Sequence, residues 1–139
     1  MKAEKFIVNE RKDNKMRDIF VVIGILAMII GGSFWTHGFY ESTRNELDEK
    51  LESLAQTIDT EMNKEDKIKE IEEFWKSKED ILIVFQDHDS IDDIENHLYE
   101  CFHYYRINEK DHFDLSRSSL MKGMEDLVKR EHLTLVNLF

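Results

Sequence analysis

The chain has 139 residues, of which 41% are hydrophobic and 35% charged, so it can form a compact domain and is not disordered by composition. Its 30 Asp and Glu residues against 19 Lys and Arg give a net charge of −11, which disfavours binding to nucleic-acid phosphates. The absence of proline favours long helices, and the single cysteine, Cys101, excludes an intramolecular disulfide.

The first predicted element is an uncharged apolar segment near the N-terminus. Ile19 to Trp35 holds 17 residues without a formal charge, and with a neutral His37 the uncharged stretch reaches Tyr40, a total of 22 residues. A helix of that length covers roughly 33 Å, enough to cross the ~30 Å hydrocarbon core of a bilayer. The segment predicts a transmembrane helix over residues 19–40.

The flanks of this segment predict its orientation. Its candidate membrane-interface residues are Arg17, Phe34, Trp35 and Tyr40. Six Lys and Arg residues lie in residues 1–18, against two in residues 41–60. Because basic flanks stay on the cytoplasmic side, we expect a short cytoplasmic arm over residues 1–18 and an acidic extracytoplasmic domain over residues 41–139 of a cell-membrane protein.

A cleaved signal peptide and a core helix of a soluble protein also fit an apolar segment of this kind. Gly31 and Ser33 imitate the small-x-small pattern of a signal-peptidase site. The polar segment before the apolar run is long, however, and the run continues past that site through Trp35. These features favour an uncleaved single-pass anchor.

Small residues mark one face of the predicted membrane helix. Gly24, Ala27 and Gly31 recur at spacings of three and four, and such faces let two membrane helices approach closely. Gly and Ala are also common in membrane helices that do not pair. The pattern is therefore compatible with a homo-oligomer, a membrane partner or a simple anchor.

A helical pattern continues directly after the membrane segment. Apolar residues recur at helical spacing over residues 47–62, with Gly38 as a candidate bend before them. Asn63, followed three residues later by Asp66, fits a capping signature at the start of a new helix. The pattern predicts one outer helix that ends near residue 62 and a second that starts after Asn63.

The second outer helix is predicted from a ladder of apolar residues over residues 68–85. The ladder has a 3-4-3-4 spacing that only Lys78 interrupts, and the methylene stem of a lysine can lie along an apolar surface. Residues 81–85 alone also fit a strand. The longer ladder favours a helix.

Two further helices complete the predicted domain. Ser90 with Asp93 fits an N-cap, and apolar residues at positions 91–105 mark one buried face. A loop is predicted over residues 106–111, and a last helix from near Phe113. The expected fold is all-α: a transmembrane helix followed by an extracytoplasmic antiparallel bundle of about four helices with short connections.

One pair of residues suggests a possible metal site. His97 and Cys101 are four residues apart on one helix face and are the candidate metal ligands. A zinc site needs three or four ligands, and Cys101 lies on the predicted core face, where a free cysteine packs as a small hydrophobe. The acids of residues 87–93 do not fit the spacing of a calcium loop. We therefore predict no cofactor, no catalytic residues and no enzymatic activity.

The C-terminal segment is unusually apolar for a chain end. Its candidate partner-binding residues are Leu135, Val136, Leu138 and Phe139. Apolar ends of this kind either dock onto their own domain or contact a partner, and the sequence is compatible with both.

Several features together resemble a known family. They are the N-terminal span, Trp75, His88 with the acidic IDDIE segment that follows it, and the terminal NLF. The chain resembles a family of short single-span membrane proteins of unknown function from spore-forming bacteria, over the span and residues 68–139. The resemblance implies a bacterial, membrane-anchored helical domain, and it carries over no catalytic residues.

The sequence as a whole predicts a non-catalytic module anchored in a bacterial membrane. We expect the bilayer and an unidentified protein partner, or a second copy of the chain, as its partners, and we expect no nucleic acid. The first hypothesis is protein–protein interaction, scaffolding or regulation at the outer face of the membrane. The alternative is an extracytoplasmic ligand- or cation-sensing domain that signals through a partner.

Overall fold

The structure, a computed structural model, describes the backbone of residues 2–60 and 62–138 and the side chains of residues 15–60 and 62–130. The described residues form helices and no strand. The helices are α1 (Lys2–Gln56), α2 (Lys64–Phe85), α3 (His88–Arg106) and α4 (Lys110–Leu138). The all-α prediction is confirmed, since the segment with an ambiguous pattern at residues 81–85 belongs to α2. The predicted membrane helix and the first outer helix both belong to α1.

The chain divides into two compact units, Met1–Thr36 and His37–Phe139. In the first unit, α1 is long and apolar enough to cross a membrane, and only 6% of its most apolar 18-residue window is buried. Phe20, Met28 and Phe34 expose 71%, 77% and 77% of their surface. The core helix of a soluble protein would bury such side chains, because their transfer from water is favourable.

The second unit is a four-helix bundle built from the C-terminal part of α1 with α2, α3 and α4. Each helix contributes one apolar stripe to a common core, as the periodicity predicts. The buried apolar residues are Tyr40, Leu47, Leu51, Leu54, Ala55, Ile58, Ile68, Ile71, Trp75, Leu82, Ile91, Ile94, Leu98, Cys101, Phe102, Tyr105, Phe113, Leu120, Met124 and Leu127. Burial stabilises the fold by about 1.5–3 kcal/mol for each large side chain, so these stripes hold the four helices together.

Side-chain contacts give the direction of α2 relative to the bundle part of α1. The ammonium of Lys50 lies 2.9 Å from Glu70 Oε1, and that of Lys78 lies 5.6 Å from the ring centroid of Phe39. Residue numbers therefore rise along one helix as they fall along the other, so the two helices are antiparallel. Lys78 also lies 5.4 Å from the ring centroid of Phe74, so this half-buried lysine extends over two aromatic rings within the ladder it interrupts.

The bundle has two distinct ends. Its proximal end is formed by residues 37–40, 82–91 and 127–130. Its distal end is formed by residues 54–67 and 103–113. At the proximal end Arg130 Nη1 donates to Ser90 Oγ at 2.9 Å, and at the distal end the hydroxyl groups of Thr57 and Tyr105 lie 3.1 Å apart. These contacts place the end of α4 beside the start of α3, and the end of α3 beside the end of α1.

The cap predicted for α3 is wrong, whereas the position of the cap predicted for α2 is confirmed. Asp87, and not Ser90, caps α3, because its carboxylate accepts the backbone N–H of Ser90 at 2.8 Å and the Ser90 hydroxyl at 3.0 Å. Asn63 precedes α2 as predicted, but it has a φ of 61° and its side chain makes no capping hydrogen bond. It turns the chain in the left-handed conformation, which Asn tolerates better than most residues.

Three boundary positions also differ from the pattern. The last helix begins at Lys110, three residues before Phe113, because Asn108 turns the chain with a φ of 60°. Met62 and Phe85, predicted on apolar stripes, expose 72% and 51% of their surface. Met62 and Phe85 each lie at the end of an apolar stripe, beyond the last core residues that could cover them.

Candidate functional site

Two neighbouring helices place three carboxylates near one exposed tyrosine. Glu72 and Glu79 are seven residues apart on α2, and Glu95 and Tyr99 are four apart on α3, so each pair shares a helix face. Partial burial and then the charges of the three glutamates raise the pKa of Tyr99 above its usual value. Tyr99 exposes 50% of its surface, and its ring meets the ring of Phe102 edge-on at 6.2 Å. We call these four residues the acidic face.

The acidic face is fixed to the core by one hydrogen bond. Trp75 is 2% exposed, and its indole Nε1–H donates to Glu95 Oε1 at 2.8 Å. A buried indole N–H needs a partner, and a carboxylate acceptor makes a stronger bond than a neutral one. The bond therefore holds the Glu95 carboxylate in place at the boundary between α2 and α3.

The same carboxylate lies close to a second one. The pKa of Glu79 is raised above its ordinary value, first by partial burial and then by the charges of Glu95 and Asp80. Two carboxylates held at short range favour a proton or a cation between them, because like charges disfavour the doubly ionised state. The arrangement can attract a cationic group of a partner or a metal ion from solution.

Other acids of the bundle already have basic partners. Arg117 on α4 donates to Asp48 Oδ1 on α1 through Nε at 2.9 Å and through Nη2 at 2.7 Å. Its Nη1 donates to Glu52, and this hydrogen bond lowers the pKa of Glu52. These residues line a groove of about 510 Å³ between α1 and α4. Arg117 and Lys110 together offset two of the three carboxylates that line the groove, Asp48, Glu52 and Asp114, so the groove holds less uncompensated negative charge than the three glutamates of the acidic face.

His97 and Cys101, the predicted metal pair, have different surroundings. His97 is half-buried in a groove between α3 and α4, and its Nδ1 lies 3.1 Å from Glu100 Oε2. Cys101 is fully buried outside that groove, where burial first and the charge of Glu100 second raise its thiol pKa to about 12. Among the side chains of residues 15–60 and 62–130, no group of three or more His, Cys, Asp or Glu could hold a metal ion.

Of the predicted membrane helix, residues 19–36 lie in the first unit and residues 37–40 in the second. A Cβ built on Gly24 or Gly31 would meet nothing within 4 Å apart from its own stretch of helix, and Ala27 is exposed. The face formed by Gly24, Ala27 and Gly31 is therefore open within the described chain. Its role in helix pairing stays a prediction.

The predicted interface residues have mixed surroundings. Arg17, Phe34 and Trp35 are exposed, and Phe34 and Trp35 expose 77% and 58% of their surface. Tyr40 lies in the second unit and is fully buried in the core, with its ring 6.3 Å from that of Phe39. The tail residues Leu135, Val136, Leu138 and Phe139 lie outside the residues whose side chains are described.

Sequence reasoning did not find the acidic face. Glu72 and Glu79 fall on one side of α2, and Glu95 and Tyr99 on one side of α3, so each half is visible as a spacing of seven or four. The register that brings the halves together depends on how α2 packs against α3, which periodicity does not encode. Trp75 is the one signal in the sequence that points to this face, because the indole N–H of a buried tryptophan needs a hydrogen-bond acceptor nearby.

Comparison with known proteins gives one match. The model of a family described as a domain of unknown function (DUF4363) matches residues 34–138, which is most of the chain and nearly all of the bundle. No curated protein and no solved structure matches the chain.

Proposed function

The chain belongs to the DUF4363 family. We propose that it is a membrane-anchored, non-catalytic module that binds a protein partner at the outer face of a bacterial membrane. The observation that carries the proposal is the exposed apolar part of α1, of which only 6% is buried in its most apolar window. An apolar surface of this size needs lipid or protein to cover it. Lipid is the simplest cover for a helix that is also long enough to span a bilayer.

Charge supports the proposed orientation. Residues 1–18, the proposed cytoplasmic arm, hold six basic residues, whereas residues 41–60, at the start of the proposed extracytoplasmic domain, hold two. Residues 31–33, the alternative cleavage site of a signal peptide, lie inside α1 with helix on both sides. A protease needs an extended substrate, so this placement supports an uncleaved anchor, whose apolar part ends where the bundle begins at His37.

The acidic face is the proposed partner surface. Tyr99 presents a half-exposed aromatic ring, and tyrosine is common among the residues that dominate protein interfaces. The surrounding glutamates favour a partner with basic residues, since complementary charge speeds association and selects partners. A second copy of the chain is the other proposed partner, through the open face formed by Gly24, Ala27 and Gly31 in the membrane.

Anchoring is tested by carbonate extraction of membranes from a bacterial host that expresses the full chain. We expect the uncleaved chain to stay in the pellet. The double variant Ile23→Lys/Ile30→Lys should move to the supernatant, because a lysine near the bilayer centre costs roughly 2.5–3.5 kcal/mol. Recovery of the unmodified chain in the supernatant, or of a chain that lacks residues 1–33, would contradict the anchor.

Partner binding at the acidic face is tested by photo-crosslinking in the native cell. A photoreactive phenylalanine replaces Tyr99 in one variant and Leu115, which is 66% exposed on α4, in another. We expect a discrete adduct from position 99 that weakens when Glu79 and Glu95 are changed to Gln, and no such adduct from position 115. Equal adducts from both positions would contradict a specific partner surface.

Cation sensing is a second candidate function, favoured by the proximity of Glu79 and Glu95. A divalent cation that bound between the two carboxylates would relieve the repulsion that raises the pKa of Glu79. The test is the melting temperature of the full chain with and without millimolar Ca²⁺ or Mg²⁺. A stabilisation that the variant Glu79→Gln abolishes would support sensing, and an unchanged melting temperature would exclude it.

A further inference from the structure

The apolar seam of α2 continues beyond the residue at which the core can cover it. Leu82 is fully buried, but Val84 and Phe85, at the end of the same helix, expose 74% and 51% of their surface. Phe85 falls on the same ladder as Trp75 and Leu82, so it lies on the core-facing side of α2. It is exposed because it lies at the end of the bundle, beyond the core. Removing a phenylalanine side chain from water is favourable, so its exposure here is costly unless something covers it.

Both residues lie at the proximal end of the bundle. Lys78 lies over the ring of Phe39, 5.6 Å from its centroid, which sets the level of α2 against α1 within the second unit. Phe85 lies seven residues further along α2, roughly 10 Å beyond that level. Because the two helices are antiparallel, this direction leads towards His37, the first residue of the unit.

The C-terminal part of α4 extends in the same direction. Arg130 is level with the start of α3, since its Nη1 lies 2.9 Å from Ser90 Oγ and 3.6 Å from Asp87 Oδ2. The backbone of α4 stays helical for eight more residues, to Leu138, which is roughly 12 Å. The last six of these residues, LTLVNL at positions 133–138, are uncharged and mostly apolar. Two apolar helix ends therefore belong to the proximal end.

Chain connectivity identifies the partner of this end. His37 follows directly on the apolar part of α1, so the proximal end stays within a few residues of the proposed anchor whatever the orientation of the two units. We propose that the proximal end of the bundle contacts the lipid surface, with Val84 and Phe85 inserted among the headgroups. The inference rests on the proposed membrane anchor, and it adds a second point of attachment for the domain. A domain held by a single tether is free to tilt on the membrane. A second apolar contact fixes its orientation, and therefore fixes which of its surfaces faces the solution.

The test uses the full chain reconstituted in phosphatidylcholine vesicles, with one cysteine at a time labelled by an environment-sensitive NBD dye. Phe85→Cys reports the proximal end, and Ile107→Cys, at a residue that is also 51% exposed but lies distally, is the matched control. Cys101 stays in place, because its buried thiol does not compete for the dye. Nitroxide lipids carry the quencher either at the headgroup or deep in the acyl chain.

We expect the label at position 85 to emit at shorter wavelength and to be quenched several-fold more by the headgroup nitroxide than the label at position 107. Equal, water-like emission and quenching at both positions would overturn the proposal. A signal at position 85 that disappears when the protein is diluted tenfold in lipid would also overturn it, because a second copy, and not lipid, would then be the cover.

A third label separates this proposal from the anchor itself. Met28→Cys lies in the middle of the proposed span and should be quenched by the deep nitroxide. If position 28 is quenched and position 85 is not, the anchor stands and only the lipid contact of the bundle fails. If position 28 is not quenched, the proposed anchor fails.

Discussion

The indole nitrogen of Trp75 donates a 2.8 Å hydrogen bond to the carboxylate of Glu95, across the boundary between α2 and α3. Trp75 is 2% exposed and belongs to the core, whereas Glu95 is half-buried and belongs to the acidic face. One bond thus joins the packing of the bundle to the surface that we propose as its binding site. It explains why a charged residue is held in a fixed position at the edge of an apolar core.

The variant Glu95→Ala should destabilise the second unit by about 1–3 kcal/mol, because it leaves a buried indole N–H without an acceptor. The conservative variant Glu95→Gln keeps an acceptor oxygen and removes the charge that faces Glu79, so its stability should stay within about 0.5 kcal/mol of the unmodified chain. Thermal unfolding of the two variants in detergent, followed by circular dichroism, measures both. Equal losses for Ala and Gln would show that the acceptor is not what Glu95 contributes.

The variant Glu79→Gln should change the pH dependence of stability. The pKa of Glu79 is raised in the folded state above its ordinary value of 4.5. A carboxyl with a raised folded pKa imposes no cost below its unfolded pKa and costs stability as the pH rises through its folded pKa. We therefore expect Glu79→Gln and the unmodified chain to have the same melting temperature at pH 4. At pH 7 the variant should melt at a slightly higher temperature, because its free energy of unfolding should be larger by a few tenths of a kcal/mol, a small effect since the group is partly solvated.

The exposed Glu73, on the same helix, supplies the control for that prediction. It has Lys69 as a neighbour at 3.9 Å, and Glu73→Gln should not stabilise the fold at pH 7. A higher melting temperature at pH 7 for both variants would mean that total charge, and not the proximity of Glu79 to Glu95, decides the effect.

Lys64 joins three chain segments at the distal end. Its ammonium donates to the carbonyl oxygens of Ile58 at 2.7 Å and Tyr105 at 2.8 Å and to the side chain of Asn108, and it lies 4.8 Å from the Tyr105 ring centroid. Lys64→Met should cost about 2 kcal/mol, since hydrogen bonds to charged groups are worth roughly 1.5–3 kcal/mol. Lys69→Met, at an exposed ion pair, should change stability by less than about 0.5 kcal/mol. Similar melting temperatures for the two variants would argue against this role of Lys64.

Gly123 marks a close approach between α3 and α4. A Cβ at this position would lie 3.3 Å from Cγ1 of Ile94, whose side chain is buried, whereas a Cβ at Gly38 would meet nothing within 4 Å. Gly123→Leu should cost about 1–3 kcal/mol by overpacking. Gly38→Ala should stabilise by up to about 1 kcal/mol through helix propensity. Chemical denaturation of both variants checks the contrast, and a tolerated leucine at position 123 would mean that the helices separate easily there.

The thiol of Cys101 should be unreactive in the folded protein. Burial raises its pKa to about 12, so at pH 8 almost none of it is the reactive thiolate. We expect reaction with a disulfide reagent only upon unfolding by denaturant, while an introduced exposed cysteine at Met62 reacts within minutes. Rapid labelling of Cys101 in the native state would contradict its place in the core.

The sequence predicted the apolar stripes well and the contacts between helices poorly. Leu47 and Leu98 recur with their neighbours at helical spacing, so the pattern alone predicts a buried face for each, and both are buried. Arg117 and Asp48 are 69 residues apart, and no local pattern links them. Their meeting depends on the register of four helices, which is a property of the packed core as a whole.

Helix ends were the other source of error, for a local reason. Ser90 and Asp87 both suit an N-cap, and the sequence does not state which of them adopts the extended backbone that a cap needs. The structure gives that backbone to Asp87, with φ −70° and ψ 145°. Phe85 is a second example. Its position in the apolar periodicity predicts that it faces the core, but the periodicity does not show that the core ends one turn earlier.

Cysteine accessibility in intact cells tests the central claim, the membrane-anchored topology, most directly. Met62→Cys lies on the proposed outer side and Lys15→Cys on the proposed cytoplasmic side, and both native side chains are exposed. With a membrane-impermeant maleimide, we predict labelling of position 62 in intact cells and of position 15 only after permeabilisation. Labelling of position 15 but not of position 62 in intact cells would contradict the orientation, and equal labelling of both only after lysis would contradict the anchor.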